Sequence, residues 1–290
     1  MLQNRATLNQ TRFHLLKELR RRYPENESGS ITRLILEHAG FPLSACLMEP
    51  NKITPSLVIA QINDMVDEIH AGKPIQYILG QTQFCDIKVI VNEGVLIPRP
   101  ETEAMVCMIQ SGNKQNFRRI IDLGTGSGCI ALALKHHFPD ALVKGMDVSK
   151  KALAVAEQNA RLNKLEVHWE EEDLLNPTLQ LEHLDVKESF DLVVSNPPYV
   201  LESEKKLMED HVLNHEPGSA LFVKDENPLL FYQAILKFCN LHLVTGGHLW
   251  LEINESFGSE TAHLFKQAGY RQVHISKDIH EKERYIHARK

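Results

Sequence analysis

A glycine-rich segment of this chain has the composition of a loop that binds a nucleoside. It reads Gly124-Thr125-Gly126-Ser127-Gly128 and stands between a short apolar run and a helical pattern. Glycines there let the backbone adopt torsions that side chains disfavour, and they let a ligand approach closely. A helix that begins at such a segment offers free N–H groups and a partial positive charge. Asp147, 23 positions after Gly124, lies where an acidic side chain accepts hydrogen bonds from ribose hydroxyls.

The spacing of the glycines distinguishes between kinds of nucleoside. A dinucleotide fingerprint needs a third glycine where this chain has Cys129, and a P-loop needs a Gly-Lys-Ser/Thr sequence that the segment lacks. Gly-x-Gly-x-Gly followed by an acidic second strand is similar to the S-adenosylmethionine loop of Rossmann-like methyltransferases. We therefore predict S-adenosylmethionine as the cofactor and S-adenosylhomocysteine as its product, the alternative being a tight turn without a ligand. The predicted cofactor-binding residues are Gly124, Thr125, Gly126, Ser127, Gly128 and Asp147.

A second segment, Asn196-Pro197-Pro198-Tyr199, combines several acceptor groups with few donors. Two prolines remove two backbone N–H donors and leave carbonyl acceptors, while the asparagine adds an acceptor and the tyrosine adds a flat face. Such a set is suited to holding a planar –NH2 group attached to a π-system. If the Asn196 side-chain oxygen and the Pro197 carbonyl each accept one N–H, the nitrogen lone pair points at the methyl group. We predict that all four residues are catalytic and bind the substrate, and that Asn196 also contacts the cofactor; the alternative is a Pro-Pro turn that ends a core strand.

Both segments follow predicted strands of one doubly wound α/β sheet, because β-type apolar runs alternate with helical patterns from Arg118 onward. The predicted strands are Ile120–Leu123, Leu142–Asp147, Val167–Glu171, Phe190–Ser195, His248–Ile253, Gln272–Ile275 and Arg284–His287. The predicted helices are Cys129–His137, Lys151–Leu162, Leu229–Leu241 and Ser259–Ala268. Only about eight residues separate the last two strands, too few for a helical crossover, so the closing strand is predicted to be antiparallel.

The order of the strands predicts that the two segments face each other. Ligands of open α/β sheets bind beyond the carboxyl ends of the strands, near the topological switch point. The first and fourth predicted strands flank that point, and they end at the glycine segment and at Asn196. Asp173, which follows the third strand, is a candidate for binding the adenine amino group, and the alternative is a solvated strand end.

The residues before the sheet divide into a helical region and a β-type region. Residues 1–72 have apolar residues at helical spacing, and Thr54-Pro55 is predicted to provide the N-cap and the first position of a helix. Residues 77–97 alternate in the manner of a β-hairpin, with a turn at residues 92–94. We predict three parts: a small all-α domain at 1–73, a β-hairpin linker at 74–98 and the main α/β domain at 99–290.

Composition narrows the class of protein. The 290 residues are 43% hydrophobic and carry a net charge of −6, which excludes disorder as the main description and disfavours duplex DNA as the main partner. No apolar run approaches the ~18 residues of a transmembrane helix, and the five scattered cysteines form no C-x-x-C pair. A cytoplasmic location is expected, although the basic segment 1–22 leaves open an organellar transit peptide instead of a helix with a basic face. The histidines lack metal-ligand spacing, so we predict no metal.

Three further segments carry a resemblance to a known family. They are Ile97-Pro98-Arg99-Pro100-Glu101-Thr102-Glu103, Glu216-Pro217-Gly218-Ser219-Ala220-Leu221, and the ending Lys277-Asp278 with Arg284. Together with the glycine segment and Asn196–Tyr199, they make the chain resemble the peptide chain release factor N5-glutamine methyltransferases, the HemK-type enzymes. The resemblance implies a Rossmann-like class I methyltransferase fold and methylation of the glutamine in the Gly-Gly-Gln motif of class 1 translation release factors.

The resemblance also implies roles for single residues. In the family, the segment matching Asn196–Tyr199 binds the glutamine amide, the residue matching Asp147 binds S-adenosylmethionine, and the helical domain helps to dock the release factor. Leu174 stands where relatives often have an aromatic residue, so its expected contact with adenine is aliphatic. Arg99, Glu101 and Glu103 keep two interpretations, contact with the methionine part of the cofactor or the substrate loop against an ion-paired hinge between domains. Glu216 either braces the Asn196 loop or starts a turn before Pro217.

Three classes of function remain as alternatives. The first is the protein glutamine methyltransferase, with class 1 release factors as partners, no direct contact with nucleic acid or membrane, and a monomeric state. The second is a nucleic-acid amino methyltransferase, which needs a target-recognition insertion or a basic arm that is not visible in the sequence. The third is a non-catalytic nucleotide-binding or scaffold protein, which the joint presence of Asn196 and the glycine segment disfavours.

Overall fold

The computed structural model describes residues 5–112, 116–176 and 189–290. The α-helices are α1 (Leu8–Leu19), α2 (Glu25–His38), α3 (Leu43–Met48), α4 (Ser56–His70), α5 (Ile75–Leu79), α6 (Pro100–Ser111), α7 (Cys129–His137), α8 (Lys150–Asn163), α9 (Asp210–His215), α10 (Leu230–His242) and α11 (Gly258–Gln267). The strands are β1 (Gln81–Phe84), β2 (Ile87–Ile90), β3 (Arg119–Leu123), β4 (Leu142–Asp147), β5 (His168–Glu171), β6 (Phe190–Ser195), β7 (Val200–Leu201), β8 (Phe222–Val223), β9 (Leu243–Glu252), β10 (Arg271–Lys277) and β11 (Glu283–Arg289).

The described residues divide into two compact units. One comprises the residues up to Gly80 together with α9, and the other comprises Gln81–Glu209 and Glu216–Lys290. The three-part division at residues 73 and 98, with a role for each part, stays a prediction. None of the helices in the described ranges is both long and apolar enough to cross a membrane.

The first unit is a helical cluster around aliphatic side chains. A capping box begins α1, since Thr7 Oγ1 accepts from the Gln10 N–H while Gln10 Oε1 accepts from the Thr7 N–H. The apolar residues of the unit's helices recur at helical spacing, so each helix turns one face toward the core. The side chains buried in this core include Leu15, Leu19, Ile35, Ile62 and Ile69.

The predicted Thr54 cap is wrong. The N-cap of α4 is Pro55, without a side-chain hydrogen bond, and the helix itself begins at Ser56. Thr54 is buried, and its hydroxyl shares a hydrogen bond with the hydroxyl of Thr11 (3.0 Å). A buried hydroxyl needs a partner, and Thr11 on α1 supplies one that a local sequence pattern does not reveal.

The predicted course of residues 74–98 is also wrong in two places. Residues Ile75–Leu79 form the helix α5, which ends at Gly80 in the left-handed conformation (φ +68°). The hairpin is formed by β1 and β2 and turns at Cys85-Asp86, not at residues 92–94. The chain does turn at 92–94, where the Val95 N–H donates to the Asn92 carbonyl, but Val95–Ile97 forms no strand among the described residues.

The outer edge of β2 explains why a strand at Val95–Ile97 has no place beside it. Asn159 of α8 accepts from the Ile90 N–H and donates to the Ile90 carbonyl, and Asn163 makes the same two bonds with Lys88. Two side chains four residues apart on one helix therefore take the hydrogen-bonding groups that a further strand would use.

The second unit is built on a seven-stranded sheet in the order β10-β11-β9-β6-β3-β4-β5. Strands β9, β6, β3, β4 and β5 run parallel, whereas β11 is antiparallel to both of its neighbours. The predicted doubly wound sheet with an antiparallel closing strand is confirmed. The strands that end at Leu123 and Ser195 are neighbours, with these two residues in register.

One strand begins earlier than predicted. Strand β9 starts at Leu243, whereas its predicted start is His248. Gly246 has a positive φ (+84°), and the pairing of β6 with β9 is irregular between Phe190 and Leu192. Gly246 and Gly247 are residues that normally interrupt a strand, so the predicted strand begins after them. In the structure, β9 passes through both glycines and contains the irregularity.

Gly145 of β4 lies directly under an indole ring. A Cβ at this position would stand 2.7 Å from Trp169 Cε3 and 2.9 Å from Thr125 Oγ1. We expect Gly145→Ala to lower the free energy of unfolding by about 1–3 kcal/mol, because overpacking forces neighbouring groups to move. Urea denaturation followed by circular dichroism measures this change.

Gly29→Ala is the control for Gly145→Ala. Gly29 lies on α2, and a Cβ there would meet no atom within 4 Å. The free energy of unfolding of this variant is expected to rise by about 0.5–1 kcal/mol, because alanine has a better helix propensity than glycine. A Gly145→Ala variant as stable as the wild-type chain would contradict the close contact of Trp169 with β4.

Candidate active site

A cavity of ≈ 530 Å³ lies beyond the carboxyl ends of β3, β4 and β6. Residues at or just beyond the ends of these strands and β5 line it, together with residues from the segment before α6, the segment after α9 and the first turn of α10. They include Glu93, Val95, Leu96, Gly124, Gly126, Met146, Asp147, Val148, Glu172, Asp173, Leu174, Asn196, Pro197, Pro198, Pro217, Ser219 and Phe231. Gly126 and Asn196 thus line the same cavity.

The glycine segment presents two of its residues to the cavity. Gly124, Gly126 and Gly128 all have positive φ angles, +73°, +55° and +79°. A Cβ at Gly124 or Gly126 would meet no atom within 4 Å, so both leave open space at the cavity. A Cβ at Gly128 would stand 2.8 Å from Trp169 Cη2, which means that this glycine lets the loop pack closely on its own sheet.

The two polar residues of the segment stabilise the loop through hydrogen bonds to residues outside the cavity lining. Thr125 and Ser127 are buried, and the Thr125 hydroxyl donates to Asp122 Oδ2 (2.6 Å). The Ser127 carbonyl accepts from Asn159 Nδ2 (2.9 Å). Of the five predicted residues of this segment, Gly124 and Gly126 therefore line the cavity, whereas Thr125, Ser127 and Gly128 shape the loop.

Asp122 is a fully buried carboxyl group beneath the glycine segment, and it gives a prediction for pH dependence. Burial raises its pKa from 3.8 to about 7. Between those values the folded chain holds a proton that the unfolded chain has lost, so this group's contribution to stability falls as pH rises. In Asp122→Asn that contribution is absent. We expect the unfolding free energy of the wild type, minus that of the variant, to fall by about 1 kcal/mol per pH unit from about pH 5 to about pH 6.5.

Urea denaturation of both proteins at several pH values in this range tests the prediction for Asp122. Other carboxyl groups titrate in the two proteins alike, so their contributions cancel in the difference. A difference that stays constant with pH would contradict a raised pKa for Asp122.

Asp147 ends β4 and connects that strand to the glycine segment. Its Oδ2 accepts from the Gly126 N–H (2.8 Å), and its Oδ1 accepts from the Ser149 N–H (2.9 Å). Burial raises the pKa of the carboxyl group, and hydrogen bonds from the backbone N–H groups oppose that rise. A carboxylate has about four acceptor positions, so two bonds leave capacity for a ligand in the cavity.

Asp173 and Leu174 also line the cavity, two and three residues beyond the end of β5. The Asp173 side chain accepts from the Leu175 N–H (2.9 Å) and from Asn176 Nδ2 (3.0 Å). Glu172, which the sequence analysis did not single out, is buried and lines the same wall. Its position directly after the third predicted strand could have identified it as a cavity residue.

Asn196 contacts the cavity on one side and a buried hydrogen-bond chain on the other. Its Nδ2 donates to Thr102 Oγ1 (2.9 Å), and the Thr102 hydroxyl donates to Glu252 Oε2 (2.7 Å). Pro197 and Pro198 line the cavity beside it, whereas Tyr199 packs against the core and its hydroxyl donates to Glu252 Oε1 (2.7 Å).

Glu252 is the end of β9 and was missed by the sequence analysis. It is 1% exposed, and burial raises the pKa of its carboxyl group, while hydrogen bonds from Thr102 and Tyr199 and the charge of Arg284 oppose the rise. Burial also raises the pKa of the Tyr199 hydroxyl well above its ordinary value. An acidic residue at the carboxyl end of a predicted strand was a signal for Glu252, as it was for Asp147.

The charged residues of the segment at 97–103 pair with other parts of the second unit. Arg99 forms an ion pair with Glu216 (2.7 Å), whose side chain is fully buried and also accepts from the Ile97 N–H (3.2 Å). Glu103 accepts from the Cys85 N–H (2.6 Å), and the Glu101 carbonyl accepts from the Tyr285 hydroxyl (2.9 Å). Glu216 thus joins the segment at 97–103 to the cavity wall that begins at Pro217.

The chain is similar to two family models, to several relatives and to a solved structure. Residues 101–221 match the model of the Methyltransferase small domain, and residues 13–80 match that of the PrmC N-terminal domain. The chain is 40% identical over 247 residues to a protein of Flavobacterium psychrophilum named "Release factor glutamine methyltransferase", covering 83% of this chain and 84% of that one. It is 36% identical to a protein of the same name from Bacteroides thetaiotaomicron, covering 97% and 99%. A solved methyltransferase structure from Pyrococcus furiosus shares the fold, with 16% identity, coverage of 70% and 88%, and a TM-score of 0.50.

Proposed function

This chain belongs to the release factor glutamine methyltransferase family, and we propose that it transfers a methyl group from S-adenosylmethionine to a glutamine side chain of a class 1 translation release factor. The acceptor is the N5 amide nitrogen of the glutamine in the Gly-Gly-Gln motif. The observation that carries this proposal is that Gly126 and Asn196 line one cavity at the ends of neighbouring strands.

The residues around the cavity fit S-adenosylmethionine. Open space at Gly124 and Gly126 lets a ligand lie against the backbone, and Asp147 has acceptor capacity for the ribose hydroxyls. Asp173 is assigned to the adenine amino group, with Leu174 covering the ring by aliphatic contact. Thr125, Ser127 and Gly128 contribute by holding the loop in shape.

The methyl donor, when bound, supplies a methyl group activated by a sulfonium. Asn196 Oδ1 and the Pro197 carbonyl accept the two N–H bonds of the glutamine amide, which holds its nitrogen with the lone pair toward the methyl group. Amide nitrogen is a poor nucleophile because its lone pair is delocalised, so this orientation and the local electrostatics supply most of the acceleration. The methylated amide then loses a proton to water, and no general base is needed before transfer. Pro198 and Tyr199 fix the segment, Tyr199 through its bond to Glu252.

The helical residues up to Gly80 are assigned to docking the release factor. This assignment is supported by the match of residues 13–80 to the PrmC N-terminal domain. Large apolar side chains on this unit are exposed, among them Leu47 (65%), Met48 (82%) and Leu57 (72%). Under this assignment, these side chains are available for apolar contact with the release factor.

The proposal is tested by incubating the protein with labelled S-adenosylmethionine and purified class 1 release factors, followed by mass mapping of the labelled residue. Label is expected on the glutamine of the Gly-Gly-Gln motif and absent from a release factor in which that glutamine is replaced by alanine. Label on another residue, or on nucleic acid but not on a release factor, would overturn the proposal.

A further inference from the structure

Thr102 and Glu252 are two buried polar residues that contact Asn196 directly or through one another. We propose that they are positioning residues: they determine which atom of the Asn196 side-chain amide faces the cavity. This inference rests on the proposed function, in which Asn196 Oδ1 accepts an N–H of the substrate glutamine. The inference assigns a role to Thr102 of the segment at 97–103, which has no role in the proposed binding of cofactor or substrate.

The argument begins at the carboxylate of Glu252, whose ionised form is favoured by the hydrogen bonds from Thr102 and Tyr199 and by the charge of Arg284. An ionised carboxylate accepts hydrogen bonds and donates none. Two hydroxyl groups meet it, Thr102 at Oε2 and Tyr199 at Oε1, both at 2.7 Å. Each hydroxyl has a single hydrogen, so each must use that hydrogen toward Glu252. The Thr102 oxygen is then left with acceptor capacity only.

The orientation of the Asn196 amide follows from the state of Thr102. Of the two ends of the amide, only the –NH2 group donates, so it is the end that turns toward Thr102 Oγ1 (2.9 Å). The oxygen at the other end is thereby directed away from the buried chain. A flipped amide would set two acceptors, Oδ1 and Oγ1, against each other in a buried place, which is costly.

Burial makes this arrangement firm. Thr102 is 3% exposed and Glu252 1%, so water does not compete effectively for their hydrogen bonds. Thr102 lies in the first turn of α6, Asn196 directly follows β6, and Glu252 ends β9. Each is anchored in a different element of the second unit, and Tyr199 adds a second contact to Glu252.

The test is Thr102→Val, which keeps the shape of the side chain and removes the hydroxyl. We expect the single-turnover rate of methyl transfer to release factor to fall about ten- to hundredfold, less than for loss of the whole amide, because the amide is retained without its orientation. The dissociation constant for S-adenosylmethionine is expected to change less than about threefold, because Asn196 is retained and the glycine segment and Asp147 are unchanged. Thr102→Ser, which restores the hydroxyl, is expected to recover most of the rate.

A matched variant and a double variant separate positioning from folding. Thr261→Val makes the same change at an equally buried threonine, on α11, and is expected to transfer methyl groups at the wild-type rate. In an Asn196→Ala background, Thr102→Val is expected to cause no further loss of rate, because the residue through which it acts is gone. Thermal unfolding of each variant shows whether a loss of rate follows a loss of structure.

The outcomes distinguish this inference from the proposed function. A wild-type rate in Thr102→Val, or a full additional loss in the Asn196→Ala background, would overturn the positioning role while leaving the methyltransferase proposal intact. A wild-type rate in Asn196→Ala alone would instead overturn the amide-binding role from which the inference starts.

Discussion

Replacing Asn196 by alanine is expected to lower the rate of methyl transfer to release factor by about a thousandfold. The variant loses the side-chain acceptor that holds the glutamine amide, and an interaction realised at the reacting group acts mainly on the chemical step. Binding of S-adenosylmethionine is expected to stay within about threefold of wild type, because the glycine segment and Asp147 are unchanged. Single-turnover kinetics with labelled cofactor and isothermal titration calorimetry measure the two quantities.

Asn116→Ala is the control for Asn196→Ala. Asn116 is an exposed residue of the second unit, between α6 and β3, and its replacement is expected to leave both quantities unchanged. If Asn196→Ala methylated release factor as fast as the wild-type chain does, the side-chain oxygen would have no part in the reaction.

The second large effect is expected at Asp147, whose replacement by alanine should weaken binding of S-adenosylmethionine about a hundredfold. Hydrogen bonds to a charged group contribute roughly 1.5–3 kcal/mol each, and the ribose offers two hydroxyls. The variant also removes the acceptor of the Gly126 N–H, so the glycine segment loses its tie to the end of β4. Methyl transfer at saturating cofactor is expected to fall far less than in Asn196→Ala.

Calorimetric titration of the Asp147→Ala variant with S-adenosylmethionine tests this expectation. Asp140→Ala, at an exposed position in the turn before β4, is the control and should bind like the wild-type chain. An unchanged dissociation constant in Asp147→Ala would remove this carboxylate from the cofactor site.

Strands β3 and β6 could be predicted from the sequence because each is a short, mostly apolar run that the fold buries. The bounds of β4 and β6 agree with the predicted Leu142–Asp147 and Phe190–Ser195. Once these strands and their order are known, the meeting of the glycine segment with Asn196 follows from the topology of the sheet. The family membership inferred from the motifs is confirmed by the related proteins from F. psychrophilum and B. thetaiotaomicron.

What the sequence did not reveal depends on partners distant along the chain. The hydroxyl of Thr54 pairs with Thr11 across 43 positions, and the edge of β2 is completed by Asn159 and Asn163 about 70 positions later. Thr102 and Glu252 are separated by 150 positions, so no local spacing links them to each other or to Asn196. Sequence periodicity reports which face of an element is apolar, but it does not report which polar groups meet inside the fold.

The pairing of Asn159 and Asn163 with β2 has a consequence for how this chain meets others. A two-stranded ribbon at a protein surface normally leaves a row of main-chain groups that recruits foreign strands and starts aggregation. Here the side-chain amides of Asn159 and Asn163 on α8 form the hydrogen bonds that a further strand would form with the main chain of Lys88 and Ile90. The hairpin is therefore closed to strand addition along β2 by side-chain amides that are already hydrogen-bonded to its main chain.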